Sequence, residues 1–216
     1  MKKYSRFITE EGEDRPKKPV VFAFGRMNPP TTGHKVLVDK VHDLAKKHNA
    51  AHHVVLSRSV DPKKNPLNNE QKLKHAKRFF PHSNISIADK DHPTLLHHAS
   101  KLNKEGHDHL IVVAGQDRVK EYHDLLHKYN GKANQSGEIP YSYKKIHVVS
   151  AGARDPDAEG SEGMSASKMR AHAASNSFDE FKKGIPDHVH PDHAREMFDD
   201  VRNSMKAKEN VKKSKK

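Results

Sequence analysis

A ten-residue segment from Gly25 to His34 (GRMNPPTTGH) is the strongest candidate for chemistry in this sequence. A glycine at the end of an apolar run lets the backbone approach a phosphate, and two prolines stiffen the turn that follows. Gly33 and His34 stand at the start of a predicted helix, whose free N–H groups favour an anion. A histidine held there can donate to charge that develops on a phosphoryl oxygen. The alternative is an ordinary strand–turn–helix connection with an incidental histidine.

The whole segment resembles the signature of the HxGH-type nucleotidyltransferase superfamily, Gly-x-Phe-x-Pro-x-His/Thr-x-Gly-His. The positions that match in order are Gly25, Pro29, Thr31, Gly33 and His34. Met27 stands where Phe is usual, and Thr31 stands where many members have His, as in the branch that includes phosphopantetheine adenylyltransferases. Threonine can bond a phosphate but carries no charge, so the catalytic cation must come from His34 and the basic side chains.

A second segment, Met164 to Arg170 (MSASKMR), resembles the second signature of that superfamily, Ile-Ser-x-Thr/Ser-x-x-Arg. A serine at a helix start can cap the helix, and an arginine one to two turns further on can clamp a leaving pyrophosphate with two parallel bonds. By itself the pattern is also that of an ordinary capped helix. Its place after a fifth predicted strand agrees with the order of motifs in the family.

Two shorter segments follow other predicted strands. Gly115-Gln116-Asp117 resembles the Gly-x-Asp with which many members hold the nucleotide or the acceptor, although Asp117 could simply cap the next helix. Residues 63–72 resemble the Asn-Pro-Phe-x-x-x-Glu-Arg stretch of archaeal-type nicotinamide-nucleotide adenylyltransferases, with departures at Leu67 and Gln71.

The resemblance to the superfamily implies that His34, Thr31 and Arg170 are the catalytic residues. It implies that the nucleotide or acceptor is contacted by Gly25, Arg26, Met27, Gly33, Lys63, Lys64, Asn65, Gly115, Asp117, Ser165 and Ser167.

The elements that must position these residues alternate along the chain. Apolar runs predict strands at 20–25, 53–57, 84–88, 109–114 and 145–150. Helical periodicity predicts helices near 33–48, 68–79, 93–104, 116–128, 165–175 and 191–207, and residues 129–143 and 151–163 read as long loops. Strands that alternate with helices predict an α/β fold, a doubly wound, Rossmann-like, five-stranded parallel sheet with helices on both faces. Ligands of such sheets bind beyond the carboxyl ends of the strands.

Length and charge limit the remaining possibilities. The chain has 216 residues, a net charge of +12 and no cysteine, which excludes disulfides and thiolate chemistry. We expect a flexible segment at 1–18, one domain at 19–205 and a basic disordered tail at 206–216.

The moderate positive charge of the domain suits a polyanionic small molecule and argues against nucleic acid as a partner. No apolar run is long enough to span a membrane, so we expect no membrane partner and a cytoplasmic location. Apart from His34, most of the 19 histidines are assigned to the surface, and no metal site is predicted.

The resemblance implies transfer of a nucleoside monophosphate from ATP or CTP to a phosphorylated acceptor such as nicotinamide mononucleotide, with release of pyrophosphate. Mg²⁺ is expected to bridge the triphosphate.

Residues 1–10 resemble the capsid-targeting peptides of large tailed bacteriophages, which a prohead protease cuts after Leu/Ile-x-Glu. The segment Ile8-Thr9-Glu10 fits this pattern. A frayed amphipathic terminus is the alternative. The chain could therefore instead be a non-catalytic nucleotide- or nucleic-acid-binding virion protein. The base, the acceptor and the oligomeric state stay open.

Overall fold

Five parallel strands form the centre of the computed structural model, which describes residues 18–61, 63–152 and 164–213. They are β1 (Pro19–Gly25), β2 (Ala51–Leu56), β3 (Ile85–Ile87), β4 (His109–Ala114) and β5 (Lys145–Ser150). Their order in the sheet is β3-β2-β1-β4-β5. The predicted α/β, Rossmann-like fold is confirmed. The order reverses between β1 and β4, so the carboxyl ends of these two strands open a crevice for a ligand.

Seven α-helices accompany the sheet in the described part of the chain. They are α1 (Lys35–His48), α2 (Asn69–Phe79), α3 (Leu95–Lys104), α4 (Val119–Tyr129), α5 (Ala166–Ala174), α6 (Phe178–Lys182) and α7 (Pro191–Lys213). Asn68, Thr94 and Ser165 cap α2, α3 and α5 with their side-chain oxygens. The sequence did not predict α6, because five residues are too few to show a helical period.

Helix α7 runs to Lys213, beyond the predicted end at 207. It therefore takes in most of segment 206–216, for which a disordered tail is expected from the sequence. Lysine, alanine and glutamate are good helix formers, so the segment extends the helix that precedes it.

Alternate residues of each strand face opposite sides of the sheet. On one side, Val21 and Ala23 of β1 pack with α1, α2, α5, α6 and α7. On the other, Val20 and Phe22 pack with α3 and α4. Helices thus cover both faces, as an all-parallel sheet requires.

The predicted loop at 129–143 contains no strand, and no helix beyond the last residue of α4, yet it contributes to the core. Tyr141 and Tyr143 are buried on the face covered by α3 and α4. Their hydroxyls donate to the carbonyls of Leu126 at 2.9 Å and Ala99 at 2.6 Å. These bonds satisfy the polar ends of two buried rings.

Two predictions fall outside the described residues. One is the cleavable segment 1–10 with its capsid association, and the other is most of the loop at 151–163. Both stay predictions. Among the helices that the structure describes, none is long and apolar enough to cross a membrane.

Candidate active site

A cleft of about 610 Å³ lies at the carboxyl ends of β1, β2 and β4. Most of the residues predicted from the sequence line it: Gly25, Arg26, Met27, His34, Lys64, Asn65, Gly115, Asp117, Ser165, Ser167 and Arg170. Thr31, Gly33 and Lys63 do not line it. The tertiary structure therefore brings together four segments that are far apart in the chain.

The loop between β1 and α1 holds His34 in one orientation. The backbone N–H of Thr31 donates to Nδ1 of His34 at 3.1 Å, and the hydroxyl of Thr31 lies 2.9 Å from the same nitrogen. Because a backbone amide can only donate, Nδ1 is an acceptor, and neutral His34 carries its proton on Nε2. His34 is 6% exposed and lines the cleft, so Nε2–H is the donor that it can present to a ligand. Thr31 is buried, bonds His34 and does not line the cleft.

Asn28 was missed from the sequence. It is buried and lines the cleft. Its side-chain amide donates to the carbonyl of Leu67 at 3.0 Å, and its Oδ1 accepts from the backbone N–H of Leu67 at 3.0 Å. This pair of bonds fixes the loop after β1 against the loop after β2. Asn28 occupies a variable position of the first signature, so the motif gave no signal for it.

The start of α5 faces the same cleft. The hydroxyl of Ser165 accepts from the backbone N–H of Lys168 at 3.1 Å, while Ala166 and Ser167 line the cleft. Arg170 donates through Nη2 to the hydroxyl of Ser167 at 2.9 Å. Its pKa is lowered by burial and by the nearby positive charge of Arg26. Two guanidinium groups that repel each other beside a helix N-terminus form a site that a polyanion would stabilise.

Asp61 organises the loop after β2. Its carboxylate accepts from the backbone N–H groups of Lys64 at 2.7 Å and Lys63 at 3.0 Å, and from the side-chain amide of Asn65 at 2.7 Å. These bonds, led by the one from Lys64, hold the pKa of Asp61 below its ordinary value. The loop presents Lys64 and Asn65 to the cleft.

The β4 side of the cleft carries an acid, a base and an aromatic ring. Asp117 is exposed, and Arg118 donates to the carboxylate of Glu121 at 2.6 Å. Tyr122 was also missed from the sequence; its hydroxyl lies 3.4 Å from the carbonyl of Phe24, and burial raises its pKa. The other lining residues not assigned from the sequence include Ser57 and Ser59, which follow β2.

The charges that line the cleft are unequal. Four side chains are cationic (Arg26, Lys64, Arg118 and Arg170), whereas Asp117 is the one carboxylate among the described lining residues. Such a surface attracts a polyanion. Within residues 18–61, 63–152 and 164–213, no group of three His, Asp or Glu side chains is arranged to hold a metal ion.

A family model described as cytidylyltransferase-like matches residues 22–172, which contain all of the lining residues named above. The chain belongs to the cytidylyltransferase-like family. The resemblance to HxGH-type nucleotidyltransferases is thereby confirmed. Membership in the cytidylyltransferase-like family supports nucleotidyl transfer as the class of activity.

Comparison with solved structures finds the crystal structure of Thermotoga maritima TmcAL bound with alpha-thio ATP, at 14% sequence identity and a TM-score of 0.48. The match covers 88% of this chain and 56% of the length of that structure. No significant match was found among curated proteins.

Proposed function

We propose that this protein transfers a nucleoside monophosphate from a nucleoside triphosphate to a phosphorylated acceptor and releases pyrophosphate. The observation that carries the proposal is the meeting of the two signature segments on one cationic cleft. Arg170 of the second segment donates to the backbone carbonyl of Asn28 in the first, at 2.8 Å. An oxygen of the acceptor phosphate attacks the α-phosphorus, the bond to the β-phosphate oxygen breaks, and pyrophosphate leaves.

Each group has a role that follows from its position. His34 donates from Nε2 to a phosphate oxygen as negative charge develops in the transition state. Arg170, with the start of α5, holds the β- and γ-phosphates through the N–H groups that Asn28 and Ser167 do not engage. Lys64 and Asp117 contact the nucleotide or the acceptor from opposite sides of the cleft.

Magnesium fits this cleft only as part of the triphosphate. The described lining residues offer it one carboxylate, that of Asp117, so its ligands would be chiefly phosphate oxygens and water. Bound in this way, Mg²⁺ would supply positive charge that offsets the negative charge of the leaving pyrophosphate.

We further propose adenylyl transfer to an acceptor of the nicotinamide mononucleotide type, ahead of cytidylyl transfer to a polyol phosphate. The support is the resemblance of residues 63–72, which include Asn65 and Pro66, to a stretch of nicotinamide-nucleotide adenylyltransferases, together with the resemblance of Gly115-Gln116-Asp117 to the Gly-x-Asp of many family members.

Measurement of pyrophosphate release tests both proposals. ATP and CTP are each paired with nicotinamide mononucleotide and with glycerol phosphate, and His34→Ala protein prepared in parallel controls for contaminating enzymes. We expect the highest turnover with ATP and nicotinamide mononucleotide. Turnover with CTP and not with ATP would contradict the adenylyl assignment alone. A folded protein that binds a triphosphate yet releases no pyrophosphate with any pair would contradict transfer itself.

A further inference from the structure

Lys72 of α2 is a fully buried lysine that the proposed reaction does not use. Its side chain is 0% exposed, and its Nζ donates to the backbone carbonyl of Ser57. An ammonium has three N–H groups, and among the described residues the bond to Ser57 is the one hydrogen bond that the side chain of Lys72 makes. No carboxylate of the described residues forms an ion pair with it.

The charges around Lys72 do not compensate it. Arg58, in the turn after β2, is the ionisable side chain of the described residues whose charge acts on it, and Arg58 is also positive. Burial, and after it Arg58, lowers the pKa of Lys72 to about 8. Around neutral pH the protein therefore keeps a buried cation without a counterion, which disfavours folding unless a ligand or the surrounding fold offsets it.

Ser57 connects Lys72 to the cleft. Its backbone N–H donates to the carbonyl of Gly25 at 2.7 Å, and its hydroxyl is hydrogen-bonded to that of Ser59 at 2.7 Å. Gly25, Ser57 and Ser59 all line the cleft. Lys72 thus lies directly behind the wall that the ends of β1 and β2 form.

We propose that Lys72 is a positioning residue of the cleft, whose buried ammonium fixes the turn at Ser57–Ser59 and attracts phosphate groups bound against it. The proposal rests on the proposed function, since it needs a polyanion in the cleft. In this proposal Lys72 does not touch the ligand. It holds Ser57 in place and attracts the ligand electrostatically, and this attraction is strong because the protein interior has a low dielectric constant. A bound phosphate in turn stabilises the charged form of Lys72, so binding takes up a proton where Lys72 is partly neutral.

Inorganic tripolyphosphate is the probe, because it reports the phosphate site without any group transfer. Its dissociation constant is measured by calorimetry for wild type, Lys72→Met and Lys77→Met, the last being an exposed lysine on the same helix and a control for net charge. At pH 7 we expect Lys72→Met to bind about tenfold more weakly and Lys77→Met to stay within about twofold of wild type. At pH 9.5 the difference between wild type and Lys72→Met should nearly vanish, because Lys72 is then neutral in the free protein.

Equal binding by wild type and folded Lys72→Met at pH 7 would overturn the inference. A difference in dissociation constant between wild type and Lys72→Met that is unchanged at pH 9.5 would also overturn it, because a purely structural role of Lys72 does not depend on its charge. Absence of tripolyphosphate binding to wild type would overturn this inference and the proposed phosphate site together.

If Lys72→Met does not fold, ¹⁵N NMR of the lysine Nζ groups in wild type tests the inference instead. We expect one lysine to titrate near pH 8 and its midpoint to rise by about one unit with tripolyphosphate. An unchanged midpoint overturns the inference.

Discussion

The guanidinium of Arg170 donates through Nη1 to the backbone carbonyl of Asn28 at 2.8 Å, across 142 residues of sequence. Asn28 in turn holds Leu67 through two hydrogen bonds. One side chain therefore links the start of α5 to the loop after β1, and through it to the loop after β2. The three segments that would surround a triphosphate form one hydrogen-bonded unit.

Arg170→Lys should lower kcat for pyrophosphate release by about a hundredfold. Lysine keeps the charge but lacks the planar fork that bonds Asn28, Ser167 and a phosphate at once. Lys168→Ala, on the exposed side of the same helix, is the matched control and should stay within about twofold of wild type. Wild-type kcat in Arg170→Lys would contradict the assigned role.

His34→Ala should lower turnover by about a hundredfold or more with the fold intact, because a donor to the transition state is lost. Thr31→Val should lower turnover less, by about tenfold. It removes the hydroxyl beside Nδ1 but keeps the backbone N–H that bonds the same nitrogen. Steady-state kinetics and circular dichroism measure both variants. If Thr31→Val lost as much activity as His34→Ala, the threonine would have to contact the phosphates itself.

Gly184→Ala should destabilise the protein by about 1–3 kcal/mol and lower turnover as well. A Cβ at this position would overlap with Sδ of Met169 and Cγ of Met164, both of which are buried residues. The carbonyl of Gly184 also accepts from the backbone N–H of Thr32 at 3.0 Å, so a shift there moves the loop that carries His34. Thermal unfolding measures the effect.

The companion experiment combines Gly184→Ala with Met169→Ala. The smaller side chain makes room for the new methyl group, so the double variant should be more stable than the sum of the two single losses. Strict additivity would show that the predicted clash is not the cause.

Acid should destabilise the fold through buried histidines. Burial, with Lys101 and His53 next in size, lowers the pKa of His98 to about 4, and burial with His147 does the same for His109. Between about pH 6.5 and 4 the unfolded chain binds protons that the folded chain does not. Stability is therefore complete above this window and falls as the pH falls through it. At pH 5 each of these two histidines should lower the free energy of unfolding by about 2 kcal/mol relative to its value at pH 8.

His98→Phe tests this cause, because the ring is kept and the titrating nitrogens are removed. The variant should lose less stability than wild type between pH 8 and pH 5, measured by urea unfolding at each pH. His82→Phe, at an exposed position, should follow the wild-type profile. Identical profiles for His98→Phe and wild type would assign the acid sensitivity elsewhere.

The architecture and most of the cleft can be predicted from the residues and their spacing alone. Strands β4 and β5 begin and end at the predicted residues. Every residue of β4 is buried, and a strand buried on both faces is a nearly continuous apolar run that the sequence shows directly. The two signature segments identified the loop after β1 and the start of α5, since a short motif carries its own backbone geometry. The ends of parallel strands then bring such loops together without further information.

The contacts between these groups, in contrast, become visible only in the packed chain. Thr31 is a possible phosphate contact in the sequence and a partner of His34 in the fold. Lys72 lies on a polar helix and would be assigned to the surface, yet it is buried behind the cleft wall. Asn28 gains its role from Leu67 and Arg170. Burial and hydrogen bonding between segments tens to more than a hundred residues apart depend on the packed chain, so no local pattern records them.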